Sequence, residues 1–98
     1  MKKYIMEITP ALILEIKQLL IENLMLQITA EEIRDQQPLF GPDSVGLDSV
    51  DALQLVVALD KTFGLKIQDP EAAKQILQNV QSIAVAVVQH RANPDAAK

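Results

Sequence analysis

In Asp48-Ser49-Val50-Asp51-Ala52-Leu53-Gln54-Leu55-Val56-Val57-Ala58-Leu59-Asp60-Lys61-Thr62-Phe63-Gly64, every local signal is helical. Asp48 is a good N-cap, because its carboxylate can accept from a backbone N–H that has no partner inside the helix. Nothing from Ser49 to Phe63 breaks a helix, and Gly64 supplies the stop. Leu55, Leu59 and Phe63 fall on one stripe, and Val50 and Leu53 are expected near it. Val56 and Val57 lie elsewhere on the helix, so some of these side chains are expected to face a partner rather than the core.

Working outward, three more helices are predicted and no strand pair. Thr9-Pro10 opens the first, since Thr caps well and Pro loses nothing by lacking an N–H at the first helical position. Its apolar positions are Leu12, Ile16, Leu19 and Leu20, and it is expected to fade between Asn23 and Leu26. A long connection, about Gln27 to Leu47, follows. Thr29 and Glu32 within it have capping-box spacing, Leu39 and Phe40 are expected to pack inward, and Pro42 resists helix. Asp69-Pro70-Glu71 opens a short helix through Ile76. Asn79 is expected to cap the last helix, whose buried face would be Val80, Ile83, Ala84, Val87 and Val88. Arg91 to Lys98 reads as a frayed tail. The predicted fold is all-α: a four-helix bundle with a long first loop and a short third helix, one domain over 1–98 with its core about 5–90.

Composition limits what such a domain can do. The 98 residues are 49% hydrophobic but include only Tyr4, Phe40 and Phe63 as aromatics, so the core is aliphatic. There is no cysteine, which excludes disulfides and Cys-ligated metal. Between Glu31 and Phe63 seven acids face two bases, while the rest of the chain has seven bases and six acids. That placement argues against nucleic acid and anionic membrane as partners, and for proteins with a basic face. Glu7 and Pro10 interrupt the apolar stretch behind Lys2-Lys3, so no signal peptide is expected; Lys17, Glu22 and Gln27 break the apolar runs, so no membrane span is expected. A cytoplasmic monomer is the expectation.

Catalytic chemistry lacks its parts. His90 is the single histidine, so no nucleophilic triad or zinc site can be assembled around a second His or a Cys. Gly41, Gly46 and Gly64 are scattered and form no phosphate loop. What remains is Gly46-Leu47-Asp48-Ser49-Val50, which would expose the Ser49 hydroxyl at the start of the best helix in the chain. A phosphodiester there would sit at the positive end of the helix dipole. By itself this is also ordinary capping chemistry. The echo Asp43-Ser44-Val45 lies between Pro42 and Gly46, poor ground for a helix, and is assigned to the loop.

The stretch from Gly46 to Ile67 resembles the acyl carrier protein family, in which Asp-Ser-Leu or a close variant opens helix II, an apolar helix ends in Phe, and a short Ile-containing segment follows. Ser49, Phe63 and Ile67 match that order and spacing. Ile28-Thr29-Ala30-Glu31-Glu32-Ile33 and Leu39-Phe40 are similar to the family's first loop, and Asp69 to Ile76 and Asn79 to Val88 to its last two helices. The resemblance covers roughly Ile8 to Gln89.

It implies a carrier without catalytic residues or metal. A phosphopantetheinyl transferase, using coenzyme A and magnesium, would esterify Ser49 with 4′-phosphopantetheine, with Asp48 as helix cap and transferase recognition residue. The thiol of the arm would then hold acyl groups as thioesters for acyl-transferring and ketosynthase-type enzymes. Val50, Asp51, Gln54, Val57 and Asp60 would form the partner-binding face. The family's second helix is typically rich in Glu, whereas Gln54, Val56, Val57 and Lys61 stand here beside Asp48, Asp51 and Asp60. Partner contacts on this helix are therefore expected to be more apolar and less salt-sensitive than in the usual case; within an expected role in fatty acid or specialised lipid or polyketide-like biosynthesis, this departure points to the specialised pathway. A peptidyl, aminoacyl or D-alanyl carrier, and an unmodified helical interaction module, are the alternatives; Asp48 before the serine favours an acyl carrier.

Overall fold

The computed structural model describes residues 8–41 and 44–92, the last two without their side chains. The expectations for the N-terminal Met1 to Glu7, for Pro42 and Asp43, and for most of the C-terminal tail lie outside the described residues. Among the described residues four α-helices occur in chain order: α1 (Pro10–Leu24), α2 (Ser49–Phe63), α3 (Pro70–Ile76) and α4 (Val80–Ala92), with a 3-10 turn, Ala30–Glu32, in the first connection. The last helix continues through Arg91 and Ala92, further than the sequence suggests, in keeping with the high helix propensity of both residues.

Local chemistry sets most of the boundaries. The Thr9 hydroxyl accepts from the Leu12 N–H at 3.1 Å, with Pro10 opening α1. Met25 ends it in the left-handed region at φ 53°, its N–H donating to the Ile21 carbonyl. Asn79 caps α4: its Oδ1 accepts from the Ser82 N–H at 2.7 Å, while the Ser82 hydroxyl accepts from the Asn79 N–H at 3.0 Å.

Gly64 closes α2 at φ 72°, with its N–H donating to the Asp60 carbonyl at 2.9 Å. A Cβ at that position would make only an ordinary contact, 3.7 Å from His90 Nε2. The cost of Gly64→Ala is therefore one of backbone conformation. We expect it to lower stability by about 1–2 kcal/mol, read as a fall in the urea midpoint; an unchanged midpoint would contradict this account.

The core is aliphatic throughout. Leu12, Ile16, Leu19 and Leu20 of α1 pack with Leu55, Ala58 and Leu59 of α2, and with the expected face of α4, Val80, Ile83, Ala84, Val87 and Val88. Helix α1 contacts both α2 and α4, whereas α3 contacts α4. Of the two aromatics expected inside, Leu39's neighbour Phe40 is half-buried, as is Phe63.

One expectation is corrected. Val50 and Leu53 do not join the buried stripe of α2; they are exposed at 59% and 69%. At about 100° per residue, Leu53 points almost opposite Leu55. Because α1 occupies the side holding Leu55, Ala58 and Leu59, Leu53 is turned to solvent.

The long connection is fastened at several points. Lys17 Nζ meets Asp35 Oδ1 at 2.8 Å, and the Asp35 carbonyl accepts from the Gln81 N–H at 2.9 Å. Further on, Leu39 N–H donates to the Gln78 carbonyl at 2.9 Å and Leu47 N–H to the Leu39 carbonyl at 3.0 Å. Ile33, Leu39 and Leu47 are buried, so this connection is part of the core rather than an appendage.

Candidate functional site

The loop delivers the chain to the start of α2 in a defined way. Buried Leu47 anchors it from below. Gly46, at φ 95°, makes the preceding turn with a conformation that L side chains disfavour. Asp48 is extended, and its Oδ1 accepts from the Asp51 N–H at 3.0 Å; in return Asp51 Oδ2 accepts from the Asp48 N–H at 3.0 Å. This reciprocal box locks the first turn, leaving Ser49 exposed as the first helical residue.

The other serine of the echo is engaged locally. Ser44 Oγ donates to the Gly41 carbonyl and accepts from the Gly46 N–H at 3.0 Å. Its hydroxyl shapes the turn that feeds α2, as the loop assignment predicts.

Ser49 borders an open groove of about 1040 Å³ between α2, α3 and the first connection. Val50, Leu53 and Val56 of α2 line one wall, with Ile67, Ala73 and Leu77 across from them. Phe40 and Pro38 close a side. Leu77 is 3% exposed and belongs also to the core, so it forms floor rather than rim. The short α3 carries no buried residue, which follows from its position beside a groove instead of across the bundle. Lys74 and Gln68 add polar groups to the lining.

The expected partner-face residues separate into two groups. Val50, Gln54 and Val57 are exposed. Asp51 is half-buried and committed to the capping box, and Asp60 is half-buried with its carboxylate 3.1 Å from Lys66 Nζ. Sequence reasoning missed the Asp48–Asp51 box although the spacing was visible, because Asp at the third helical position is a less familiar partner than Glu. It also missed Leu53, which only the packing side of α2 reveals.

Removing the Asp48 carboxylate should unlock this first turn. We expect Asp48→Ala to cost about 1 kcal/mol of stability, measured by urea denaturation, with native helix content retained. A variant as stable as the parent would show that the box contributes nothing.

His90 is partly buried at the far end of α2, near Gly64, and does not line the groove. Among the described residues no group of three His, Cys, Asp or Glu side chains could hold a metal. No described helix is long and apolar enough to cross a membrane. The geometry therefore offers an accessible hydroxyl at a rigid helix start, beside an apolar groove open to solvent. That combination fits a long, flexible group attached to the hydroxyl: among the described residues Ser49 is exposed, and it borders the groove.

Comparison with known proteins agrees. A model of the family described as "Phosphopantetheine attachment site" matches residues 14–87. The chain is similar to the acyl carrier protein of Wolinella succinogenes, 33% identical over 60 residues, covering 61% of this chain and 74% of that relative. It is also similar to the acyl carrier protein of Campylobacter hominis, 41% identical over 59 residues, covering 47% of this chain and 75% of that relative. The chain thus belongs to the acyl carrier proteins of the phosphopantetheine-attachment family, which carry acyl groups on covalent 4′-phosphopantetheine and are not themselves enzymes.

Proposed function

We propose that Ser49 is the attachment residue, and that the carrier serves a specialised lipid or polyketide-like pathway. Its partners are a phosphopantetheinyl transferase and acyl-transferring and ketosynthase-type enzymes. The observation that carries the first part is the contrast between the two serines: Ser49 is exposed at the rim of the groove, while the Ser44 hydroxyl is occupied in its turn.

When attached, the phosphopantetheine arm supplies a terminal thiol on which acyl groups are held as thioesters. The chain's own residues do the rest. The Asp48–Asp51 box holds the first turn so that Ser49 Oγ projects at a constant place. The N–H groups of this first turn lack intrahelical carbonyls and favour an anion beside Ser49. The two carboxylates of the box oppose that effect, so the site positions a phosphodiester more than it attracts one. Phe40, Val56, Ile67 and Leu77 offer apolar surface that would shield an aliphatic chain from water. Tethering raises the effective concentration of the cargo at each enzyme that docks.

Support for the specialised pathway is the apolar outer face of α2, where housekeeping relatives would present carboxylates. The experiment that tests the function is incubation with coenzyme A and a broad-specificity transferase, followed by intact-mass measurement and loading with malonyl, fatty and aminoacyl groups. One arm per chain on Ser49 and transfer of malonyl or fatty groups are expected. Loading by amino acids alone would overturn the acyl reading.

A further inference from the structure

We infer that the groove beside Ser49 favours acyl groups whose far end carries a second carboxylate, and that Lys74 is the specificity-determining residue that reads it. The inference rests on Ser49 being the attachment residue, and it names a class of cargo for that same site.

The two walls of the groove differ in chemistry. Beyond Ser49, the α2 wall is apolar, made chiefly by Val50, Leu53 and Val56. The wall across from it sets Lys74 beside Ala73. A saturated alkyl chain gains from the first wall, because apolar surface leaves water there. It gains nothing from an ammonium group on the second. A chain with a carboxylate at its far end can use both: its methylenes on α2, its charge across the groove.

Lys74 is uncommitted. Among the described residues it is the only cation lining the groove, and the ion pairs there are Lys17–Asp35 and Lys66–Asp60. Glu71, three residues earlier on α3, has the spacing for a helical pair, yet none forms. Asp69 is the one acid in the lining, and its Oδ1 accepts from the Glu71 N–H at 3.2 Å at the start of α3. Lys74 stands in the last turn of that helix. Without the ammonium, a carboxylate there would meet only the negative end of the helix dipole. The phosphodiester of the arm is the other anion at hand. It is fixed to Ser49 on the α2 side, whereas Lys74 stands across the groove on α3.

The test loads the full chain with a broad-specificity phosphopantetheinyl transferase, from octanoyl- or 7-carboxyheptanoyl-coenzyme A. Protection is the hydroxylamine cleavage rate of each acyl-coenzyme A divided by the rate for the same acyl group on the chain. The parent should protect the 7-carboxyheptanoyl thioester more than the octanoyl one, by roughly twofold to fivefold, since Lys74 is exposed and its pair with a carboxylate is screened. Lys74→Met should remove that excess and leave octanoyl protection unchanged, with the urea midpoint of the parent; Lys74→Gln should repeat the result. Lys66→Met, outside the groove, should keep the excess. No excess in the parent, or an excess that survives both Lys74 variants, would overturn the inference. Equal loss of protection for both acyl groups would assign Lys74 to the phosphodiester and overturn the cargo class while leaving Ser49 modified. Failure of the parent to take up either arm, or uptake at another serine, would instead overturn the reading of Ser49, and the cargo class with it.

Discussion

Ser49→Ala is expected to abolish the coenzyme A-dependent mass increase completely and to leave the fold as it was. The loss should be total because esterification needs the hydroxyl oxygen, and no neighbouring nucleophile can substitute for it at that position. Asp48 and Asp51 are acids held in their mutual box, and Ser44, on the other side of Gly46, has its hydroxyl in a turn. The fold should persist because the Ser49 side chain is exposed and alanine is the best helix former. Stability should stay within about 0.5 kcal/mol of the parent. Ser44→Ala supplies the control, with one full arm per chain expected. Retention of the arm by Ser49→Ala, or its loss from a well-folded Ser44→Ala, would move the attachment site elsewhere.

The second large effect concerns the core under the same helix. Leu59 is fully buried among apolar side chains, and α2 packs there against α1. Leu59→Ala removes apolar surface and leaves a cavity that tightly packed neighbours only partly fill, a loss of about 2–5 kcal/mol. A domain of this size has a total of about 5–15 kcal/mol, so the variant should lie close to the edge of folding. Urea denaturation reads it as a large fall in midpoint with an unchanged slope. By contrast, Leu53→Gln changes the same residue type on the same helix and should leave the midpoint almost where it was, because Leu53 is already in water. If the two substitutions shifted the midpoint equally, the division of α2 into a buried and a solvent-facing side would be wrong.

That pair of leucines also marks where sequence reading reached its limit. Both sit in an uninterrupted apolar helix, and the pattern around them is too hydrophobic to single out one face. The stripe built on Leu55, Leu59 and Phe63 correctly located part of the core, but Val50 and Leu53 were grouped with it although they face outward. The acids failed in a similar way. Asp51 and Asp60 look like free surface charges in a list of residues, and their engagement with the Asp48 N–H and with Lys66 appears only when the chain is folded.

The start of α2 behaves differently. Asp48, Ser49 and Gly64 lie where the sequence alone puts them, and so do the caps Thr9, Asp69 and Asn79. Capping and glycine geometry depend on residues a few positions apart, so a linear sequence contains everything needed to read them. The helix order, the aliphatic α4 face, and the placing of Ser49 at a helix start and of Ser44 in the loop belong to this class. The groove beside Ser49, the fastening of the long connection through Lys17 and Gln78, and the outward face of Leu53 belong to the other. Each joins segments far apart in the chain, and on a helix as uniformly apolar as α2 the side that meets its neighbours is fixed by the packed bundle rather than by a local signal.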